Sequence, residues 1–385
     1  MKAKQLNLFS DNKIKDHKSY KPVRVISRIS LAPWRGLPYS KQNWGNWLHH
    51  MGAYVGKMKP AMAHHLILSA TKKNQKILDP FCGIGTVNTE ASFLERFSYG
   101  NDLNPYAFEI ASAKSDRRNI EEQINYIENI KINVSKIKID KYSEFLRKFY
   151  DDQTLKEIIF LLNNFKKNNR DFLKGCLLGI IHGHRPGHLS AITSLVIPYL
   201  PREKPVYKEV KPRLIKKVER MYKDGFNNTH IPIISNLNSK NLSIGNNKID
   251  AVISSPPYFN TLDYSGDNRL RNEFLGVTEK KKIKLKESLT QQNPTYIDEM
   301  VEIGIEIKRV LKPGGYCIFV LGDLHLSKKI RNTAKEISEA YEKIGFITHG
   351  ILDDKMPVNK AVPDKRKRDK LDRILIMTNG KYKEV

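Results

Sequence analysis

The chain has few cysteines, with three among its 385 residues. A protein of this length that relied on disulfides would carry a larger, even set, so a disulfide framework is excluded. Cys82, Cys176 and Cys317 also lack the spacing of metal ligands, and no metal site is expected from them. Unpaired thiols suit a reducing compartment, so the sequence predicts a cytoplasmic location.

Long apolar runs are also missing. The first ten residues contain no apolar core of the signal-peptide kind. The most apolar stretches, residues 176–181 and 191–200, fall far short of the roughly 18 to 20 residues that a membrane-spanning helix needs. A membrane is therefore not an expected partner.

Acidic residues are scarce relative to basic ones. The chain has 67 Lys and Arg against 41 Asp and Glu, a formal net charge of +26. Such a surplus favours a polyanionic partner, nucleic acid first, although a general Lys-rich composition stays open. Several basic runs could follow a phosphate backbone. The candidate contacts are Arg185, Lys208, Lys211, Arg213, Lys216, Lys280, Lys281 and Lys282.

The order of apolar and helical segments predicts an α/β fold. Residues 76–79 are a short apolar strand, residues 87–97 a helix and residues 97–102 a second strand, which makes a unit of parallel sheet. Further strands are predicted at 231–235, 250–254, 315–321, 346–352 and 373–378, with helices at 296–311 and 330–344. We therefore predict a doubly wound, mostly parallel sheet with a helical insertion after its second strand.

Three regions are predicted along the chain. Residues 1–56 are a basic N-terminal extension with little periodicity, and residues 57–115 and 231–385 together form the sheet domain. Residues 116–230 are rich in helical signals and form the insertion, a possible target-recognition region. Within it, the run 182–188, which contains three histidines, is interpreted as a loop that contacts DNA phosphates or bases or as an ordinary polar loop. A metal site is the least favoured alternative, because no Cys or carboxylate supports it nearby. Three tryptophans, Trp34, Trp44 and Trp47, are interpreted as a packing patch, with a stacking platform as the alternative.

A glycine-containing turn follows the first strand, with the sequence Asp79-Pro80-Phe81-Cys82-Gly83-Ile84-Gly85-Thr86. Glycines let a nucleotide-like ligand approach the backbone, and the next helix offers free N–H groups at its start. The third glycine of a dinucleotide fingerprint is missing, so a plain turn stays open for the loop alone. Asp102 ends the next strand. Its spacing in the sequence from the glycine loop is close to that of an acid that accepts hydrogen bonds from ribose hydroxyls. Loop and acid together predict an adenosyl-cofactor site.

A second motif, Ser255-Pro256-Pro257-Tyr258, directly follows an apolar strand. The exocyclic amine of a base is a weak nucleophile because its lone pair is delocalised into the ring. The Ser255 oxygen and the Pro256 carbonyl can each accept one N–H of that amine, and the two prolines stiffen the turn. Tyr258 offers a face on which a flipped-out base can stack. An isolated Pro-Pro-Tyr could simply close a strand, but the cofactor loop upstream favours a catalytic interpretation.

These two motifs resemble those of the DNA amino-methyltransferases that depend on S-adenosylmethionine (SAM). The resemblance covers residues 57–115 and 231–380 and implies a class I methyltransferase fold, SAM as cofactor and double-stranded DNA as partner. It implies that the loop wraps the methionine part of SAM, with Phe81 near the cofactor. It further implies that Pro60 and its helix support the methionine tail. Asn236, at the end of the third strand, is a candidate contact to the adenine.

The first residue of the catalytic motif bears on which base is modified. In the resembling family, Ser there is typical of cytosine-N4 enzymes and Asp of adenine-N6 enzymes, although some adenine enzymes carry Ser. Cytosine N4 is therefore the expected target, with adenine N6 as the alternative. The cofactor loop also resembles that of tRNA guanine-N2 methyltransferases. A basic nucleic-acid binder without activity would explain the charge but not Ser255–Tyr258.

The resemblance alone implies a biological role. Enzymes of this family commonly act in restriction–modification systems, and a cognate restriction endonuclease would be the partner. Whether the chain is a monomer or a dimer is left open by the sequence.

Overall fold

The structure is a computed structural model that describes residues 20–41, 44–116, 118–193, 200–226, 230–257, 264–277, 295–326, 329–355 and 371–381. Four of the candidate site residues lie outside these ranges, namely Tyr258, Lys280, Lys281 and Lys282. Within the described ranges, no helix combines the length and the apolar character needed to cross a bilayer.

A seven-stranded sheet lies at the centre of the molecule. Its strands, together with the short β6–β7 hairpin beside it, are β1 (Lys76–Asp79), β2 (Phe97–Asn101), β3 (Ile233–Ser235), β4 (Ile249–Ser254), β5 (Leu311–Gly322), β6 (Leu324–Leu326), β7 (Lys329–Arg331), β8 (Phe346–Lys355) and β9 (Leu371–Asn379). The order across the sheet is β3-β2-β1-β4-β5-β9-β8. Strands β1 to β5 are parallel, and β9 is antiparallel to both of its neighbours. The prediction of an α/β fold with a mostly parallel sheet is confirmed.

Helices cover the sheet and fill the long connection between β2 and β3. They are α1 (Pro22–Ser30), a 3-10 helix (Trp47–His50), α2 (Pro60–Ala70), α3 (Thr86–Phe93), α4 (Pro105–Ala113), α5 (Ile120–Asn129), α6 (Glu144–Arg147), α7 (Asp152–Lys167), α8 (Asp171–Ile181), α9 (Val210–Tyr222), α10 (Tyr264–Asp267), α11 (Arg269–Phe274), α12 (Tyr296–Val310) and α13 (Thr333–Lys343). Helices α5 to α9 make up the predicted helical insertion. They share an apolar core with α4.

The two faces of the sheet are buried against different helices. Successive strand residues point to opposite faces, so Ile253 packs toward α1 and α2 while its neighbour Val252 packs toward α12 and α13. Because both faces are covered, the central strands are apolar without a polar alternate face. This explains why the predicted strands lie close to the observed ones.

The N-terminal region contributes to the fold, which its low periodicity had not indicated. Val25 and Ile29 on α1 are fully buried and pack over the sheet. Trp34 is also buried, and its indole N–H donates to Asp354 on β8 at 3.1 Å. Trp47 instead packs against the helical core, so the three tryptophans do not form one patch. All three tryptophans therefore pack against apolar cores, as interpreted, but Trp47 lies in a different core from Trp34 and Trp44.

Candidate active site

A pocket of about 860 Å³ lies at the carboxyl ends of β1, β2 and β4. The strand order reverses between β1 and β4, and such a crevice is where open α/β sheets bind ligands. Both predicted motifs contribute to this pocket. The predicted residues that line it are Asp79, Phe81, Gly83, Thr86, Asp102, Ser255 and Pro257.

The glycine loop between β1 and α3 has a left-handed backbone at two positions. Gly83 has φ of 51° and Gly85 has φ of 75°, a region that favours glycine. A Cβ on Gly83 would lie 3.2 Å from the ring of Tyr54, and a Cβ on Gly85 would lie 3.0 Å from the Cβ of Ala111. The loop therefore keeps its backbone open to the pocket, and residues with side chains would strain both turns.

Asp102 joins the end of β2 to the glycine loop. Its carboxylate accepts the backbone N–H of Gly83 at 2.8 Å and that of Asn104 at 2.9 Å. Asn104 in turn caps α4 by accepting the N–H of Tyr106 at 3.0 Å. Burial raises the pKa of Asp102 to about 6, although the two backbone hydrogen bonds oppose that shift. The acid thus lines the pocket and also fixes the geometry of the loop.

Asp79 links the cofactor loop to the catalytic motif. The hydroxyl of Ser254, the last residue of β4, donates to the Asp79 carboxylate at 2.5 Å. The backbone N–H of Phe81 donates to the same oxygen at 3.2 Å. Burial raises the pKa of Asp79 to about 7, with the nearby Asp102 charge adding to the effect. This contact spans residues that are far apart in the sequence and sets the distance between the two motifs.

The described part of the catalytic motif lies at the end of β4. Ser255 is half-buried and faces the pocket, while Pro256 is buried. The carbonyl of Pro257 accepts a hydrogen bond of 3.1 Å from the Tyr296 hydroxyl at the start of α12. That contact ties the motif to a helix on one face of the sheet and so stiffens the turn further.

Several residues that line the pocket were not predicted from the sequence. They are Tyr54, Gly56, Lys57, Met58, Cys82, Leu103, Asn238, Ser239, Lys240, Glu299 and Ile303. Most lie in turns that show no periodicity in the sequence. The loop after β3 is the exception, because its place at the pocket could have been inferred. It follows a parallel strand, whose carboxyl end must lie beside those of β1 and β2. Ser239 there donates to the Pro80 carbonyl at 2.7 Å.

A buried ionic cluster holds the N-terminal side of the pocket. Glu90 on α3 accepts hydrogen bonds from His49 at 2.6 Å and from His64 at 2.9 Å. Burial raises the pKa of Glu90, but these two contacts outweigh it and lower the pKa to about 2. Burial lowers the pKa of His49, although the hydrogen bond to Glu90 and its charge oppose that shift. Lys57, which lines the pocket, donates to the His49 carbonyl at 2.7 Å.

Other predicted residues lie outside the residues that line the pocket. Pro60 begins α2, and the Asn236 amide donates to the carbonyls of Asp102 and Leu103 at 2.6 and 3.0 Å. Asn236 therefore stabilises the turn that contains Asp102 and Leu103. The remaining residues of this group are Pro80, Gly85 and Pro256, which belong to the loop and motif backbones.

The predicted basic contacts differ in how free their charges are. Lys208 donates to the carbonyls of His188 and Ser190, at 3.0 and 2.6 Å, and so closes the 182–188 loop. Lys211 donates to the Glu128 carbonyl at 3.0 Å, and Arg213 bonds within its own helix. Two further candidates, Lys216 and Arg185, are exposed.

Comparison with known proteins identifies a family that part of the chain resembles. A family model described as DNA methylase matches residues 2–113, a range that includes the glycine loop. The Type II methyltransferase M.BsoBI of Geobacillus stearothermophilus is 24% identical over 312 residues, which is 67% of this chain and 58% of that protein. Together these matches support a relationship to the DNA amino-methyltransferase family. Its match spans less than two thirds of the curated relative.

Solved methyltransferase structures also resemble the chain, at low similarity. The putative DNA modification methylase TTHA0409 of Thermus thermophilus, complexed with SAM, is 19% identical over 38% of this chain and 55% of its own, with a TM-score of 0.26. A SAM-dependent methyltransferase of Methanosarcina mazei is 12% identical over 80% of this chain and 93% of its own, with a TM-score of 0.33. Both TM-scores are below 0.5, so the fold of this chain is taken from its own strand order.

The residues that line the pocket fit the cofactor of this family, SAM. SAM carries an amino group, a carboxylate, a sulfonium, ribose hydroxyls and an adenine ring. The pocket offers carboxylates in Asp79, Asp102 and Glu299 and an ammonium in Lys57. Apolar side chains complete the lining, and the open backbone of Gly83 leaves room for close approach. SAM is therefore the cofactor to which this pocket is suited.

Proposed function

We propose that the chain transfers a methyl group from SAM to the exocyclic amino nitrogen of a base in DNA, namely N4 of cytosine. The observation that carries the proposal is that Ser255 and the glycine loop line one pocket. The hydrogen bond from Ser254 to Asp79 supports it further, because it holds the catalytic motif and the cofactor loop in register.

The acceptors for the amine follow from the contacts of the motif. The Pro257 carbonyl already accepts a hydrogen bond from Tyr296, so we assign the second acceptor to the Pro256 carbonyl. The hydroxyl oxygen of Ser255 accepts the other amine N–H, and together they draw the nitrogen lone pair out of the ring. After transfer the nitrogen becomes acidic, and Ser255 or water relays its proton. SAM, when bound, supplies an electrophilic methyl group for direct displacement.

The cofactor side of the proposal uses the loop, Asp102 and the N-terminal segment. Asp102 would accept ribose hydroxyls with the lone pairs that its two backbone donors leave available. Lys57 would face the carboxylate of the methionine part, and Phe81 would pack on the adenine side of the pocket. Tyr258 would stack on the flipped-out base.

The choice of cytosine and the biological role rest on narrower support. Ser255 at the first motif position supports cytosine N4 over adenine N6. The relative from G. stearothermophilus is named a Type II methyltransferase, which supports a role beside a cognate restriction endonuclease. The three cysteines are all free and buried, which agrees with a cytoplasmic location.

Mass spectrometry of nucleosides tests the proposal directly. Unmethylated DNA and tRNA would each be incubated with the protein and methyl-labelled SAM, then digested. We expect labelled N4-methylcytosine from DNA. Labelled N6-methyladenine would contradict the base and keep the chemistry, whereas label found only in tRNA would contradict the polymer. Absence of label in both would reject the proposed activity.

A further inference from the structure

A second pocket, of about 760 Å³, shares Tyr54 with the cofactor pocket. We call it the histidine–arginine pocket. The residues that define it are Tyr54, His182, His184, Arg185, His188 and Arg271. Tyr54 lines both pockets, so a molecule could occupy the two with only one aromatic ring between them.

The guanidinium of Arg271 is the central feature of this pocket. The residue is 5% exposed, and its Nε is buried without a hydrogen-bond partner. Its Nη2 donates to the His182 carbonyl at 2.7 Å, and its centre lies 5.0 Å from the Tyr106 ring. Across the described residues, no carboxylate forms an ion pair with Arg271. A buried cation without a counter-charge is unfavourable, so the pocket is built for an anion.

Two of the histidines around Arg271, His182 and His188, add no charge to the pocket. Burial lowers the pKa of His182 to about 3 and that of His188 to about 4, with the Arg271 charge adding to both shifts. Both imidazoles are therefore neutral near pH 7. The ring of His188 lies over Gly183, where an added Cβ would come within 2.5 Å of it.

The charges of the lining favour an anion overall. Arg185, at the exposed rim, and Arg271, at the base, contribute two positive charges, while Asp267 contributes one negative charge. Arginine pairs bind phosphate well because their planar N–H groups match its oxygens. The site has one cation fixed by burial and one free to close over a ligand.

We propose that the histidine–arginine pocket binds a backbone phosphate of the nucleic-acid strand whose base enters the neighbouring cofactor pocket. The inference rests on the proposed function for the identity of that strand. Tyr54 would then separate the phosphate from the reacting base, and the 182–188 loop, closed by Lys208, would position the strand.

Salt dependence of binding tests the inference without requiring methyl transfer. Binding of duplex DNA and of tRNA would be followed by fluorescence anisotropy between roughly 50 and 200 mM salt. The variants are Arg185→Gln, Arg271→Gln and the double variant. Lys343→Gln, which removes an exposed charge from α13, is the matched control. SAM binding to each variant would confirm that the cofactor pocket is intact.

The expected result is specific to the two arginines. The double variant should lower the slope of log K against log salt by about 0.9, because the one phosphate that both arginines contact is no longer neutralised, and each single variant should lower it by less. Each should weaken binding about tenfold, and the double variant should weaken it by less than the product of the two, because both arginines share one phosphate. Lys343→Gln should change neither quantity.

Other outcomes separate the inference from the proposed function. Slopes equal to wild type in both polymers would overturn the inference, even if DNA is methylated. A reduced slope with no methylation would support the pocket and reject the activity. The polymer that shows the effect identifies the strand as DNA or RNA. If Arg271→Gln fails to fold, the exposed Arg185→Gln decides the result alone.

Discussion

Ser254 and Ser255 are adjacent in the sequence, yet their side chains face different groups. The Ser254 hydroxyl is fully buried and donates to Asp79 of the cofactor loop. Ser255 is half-buried and lines the pocket. Because neighbouring residues at a strand end point in opposite directions, one pair of substitutions can separate cofactor binding from transfer.

Ser255→Ala should lower kcat for DNA methylation roughly tenfold to a hundredfold, because one acceptor of the reacting amine is lost. SAM affinity should stay close to wild type. Ser254→Ala should show the reverse pattern, with weaker SAM binding and a smaller change in kcat. Initial rates with labelled SAM and calorimetry of SAM binding measure the two effects. A fully active Ser255→Ala protein would remove Ser255 from the mechanism.

Among single residues, pocket residues in the two motifs next to strands could be predicted from the sequence. Pocket residues in turns outside those motifs could not. Asp79, Gly83, Asp102 and Ser255 each follow a strand closely, so the parallel sheet brings them to one edge. Residues 54–58 lie at the same pocket because the segment is held by contacts among His49, His64 and Glu90. These residues are far apart in the sequence, so their contacts leave no local sequence pattern. The opposite case is Lys208, whose basic run suggested phosphate but whose ammonium is held by two carbonyls.

Helix α8 depends on two glycines for its close approach to the neighbouring elements. A Cβ on Gly175 would lie 2.3 Å from the Cβ of Ala113 on α4. A Cβ on Gly179 would lie 1.9 Å from the carbonyl oxygen of Met51, directly after the 3-10 helix. That oxygen belongs to the backbone and cannot rotate away. The packing of α8 therefore determines the position of the segment that leads to Tyr54.

Gly179→Ala should destabilise the protein by about 1 to 3 kcal/mol, as overpacking in a close-packed core does. Since Met51 precedes the segment lining both pockets, SAM affinity should fall as well. Gly187→Ala is the matched control, because no atom lies within 4 Å of its added Cβ. Urea unfolding and SAM titration measure both effects. A Gly179→Ala protein as stable as the control would refute this packing account.

The predicted and observed bounds of helices and strands show which elements can be recognised from their own sequence. Strand β4 was predicted from 250 to 254 and runs Ile249–Ser254, because an apolar strand buried on both faces is self-evident in the sequence. Helix α1 was missed, although Val25 and Ile29 are spaced four apart and Pro22 begins it. The hairpin of β6 and β7 was also missed, since its strands have three residues each.

The molecule as a whole carries both exposed and buried charge. Its surplus of +26 includes Lys114 and Lys217, which are almost fully buried and donate to the carbonyls of Ile84 and His50. Burial lowers the pKa of Lys114 to about 7 and that of Lys217 to about 8. Part of the positive charge thus supports the cofactor loop and the 3-10 helix, and is not available to a phosphate backbone.

The buried acids of the cofactor pocket make stability depend on pH. The pKa of Asp79 is raised from 3.8 to about 7 and that of Asp102 to about 6, in both cases chiefly by burial. At these two positions the folded protein therefore holds more protons than the unfolded chain above pH 4. The stability that these protonated acids contribute is complete below the unfolded pKa and is lost as pH rises through the folded pKa.

The contribution of Asp79 to the free energy of unfolding should accordingly fall from pH 4 to 7, by at most about 1.4 kcal/mol per pH unit. The buried histidines His50, His65, His182 and His188, whose pKa values burial lowers, contribute in the opposite direction. Asp79→Asn removes that contribution, so the free energy of unfolding of wild type minus that of Asp79→Asn should fall over this window. Asp298→Asn, an exposed position on α12, is the control and should run parallel to wild type. Urea unfolding at roughly pH 5, 6, 7 and 8 measures the curves. Parallel curves for Asp79→Asn and wild type would mean that Asp79 is already ionised in the folded protein.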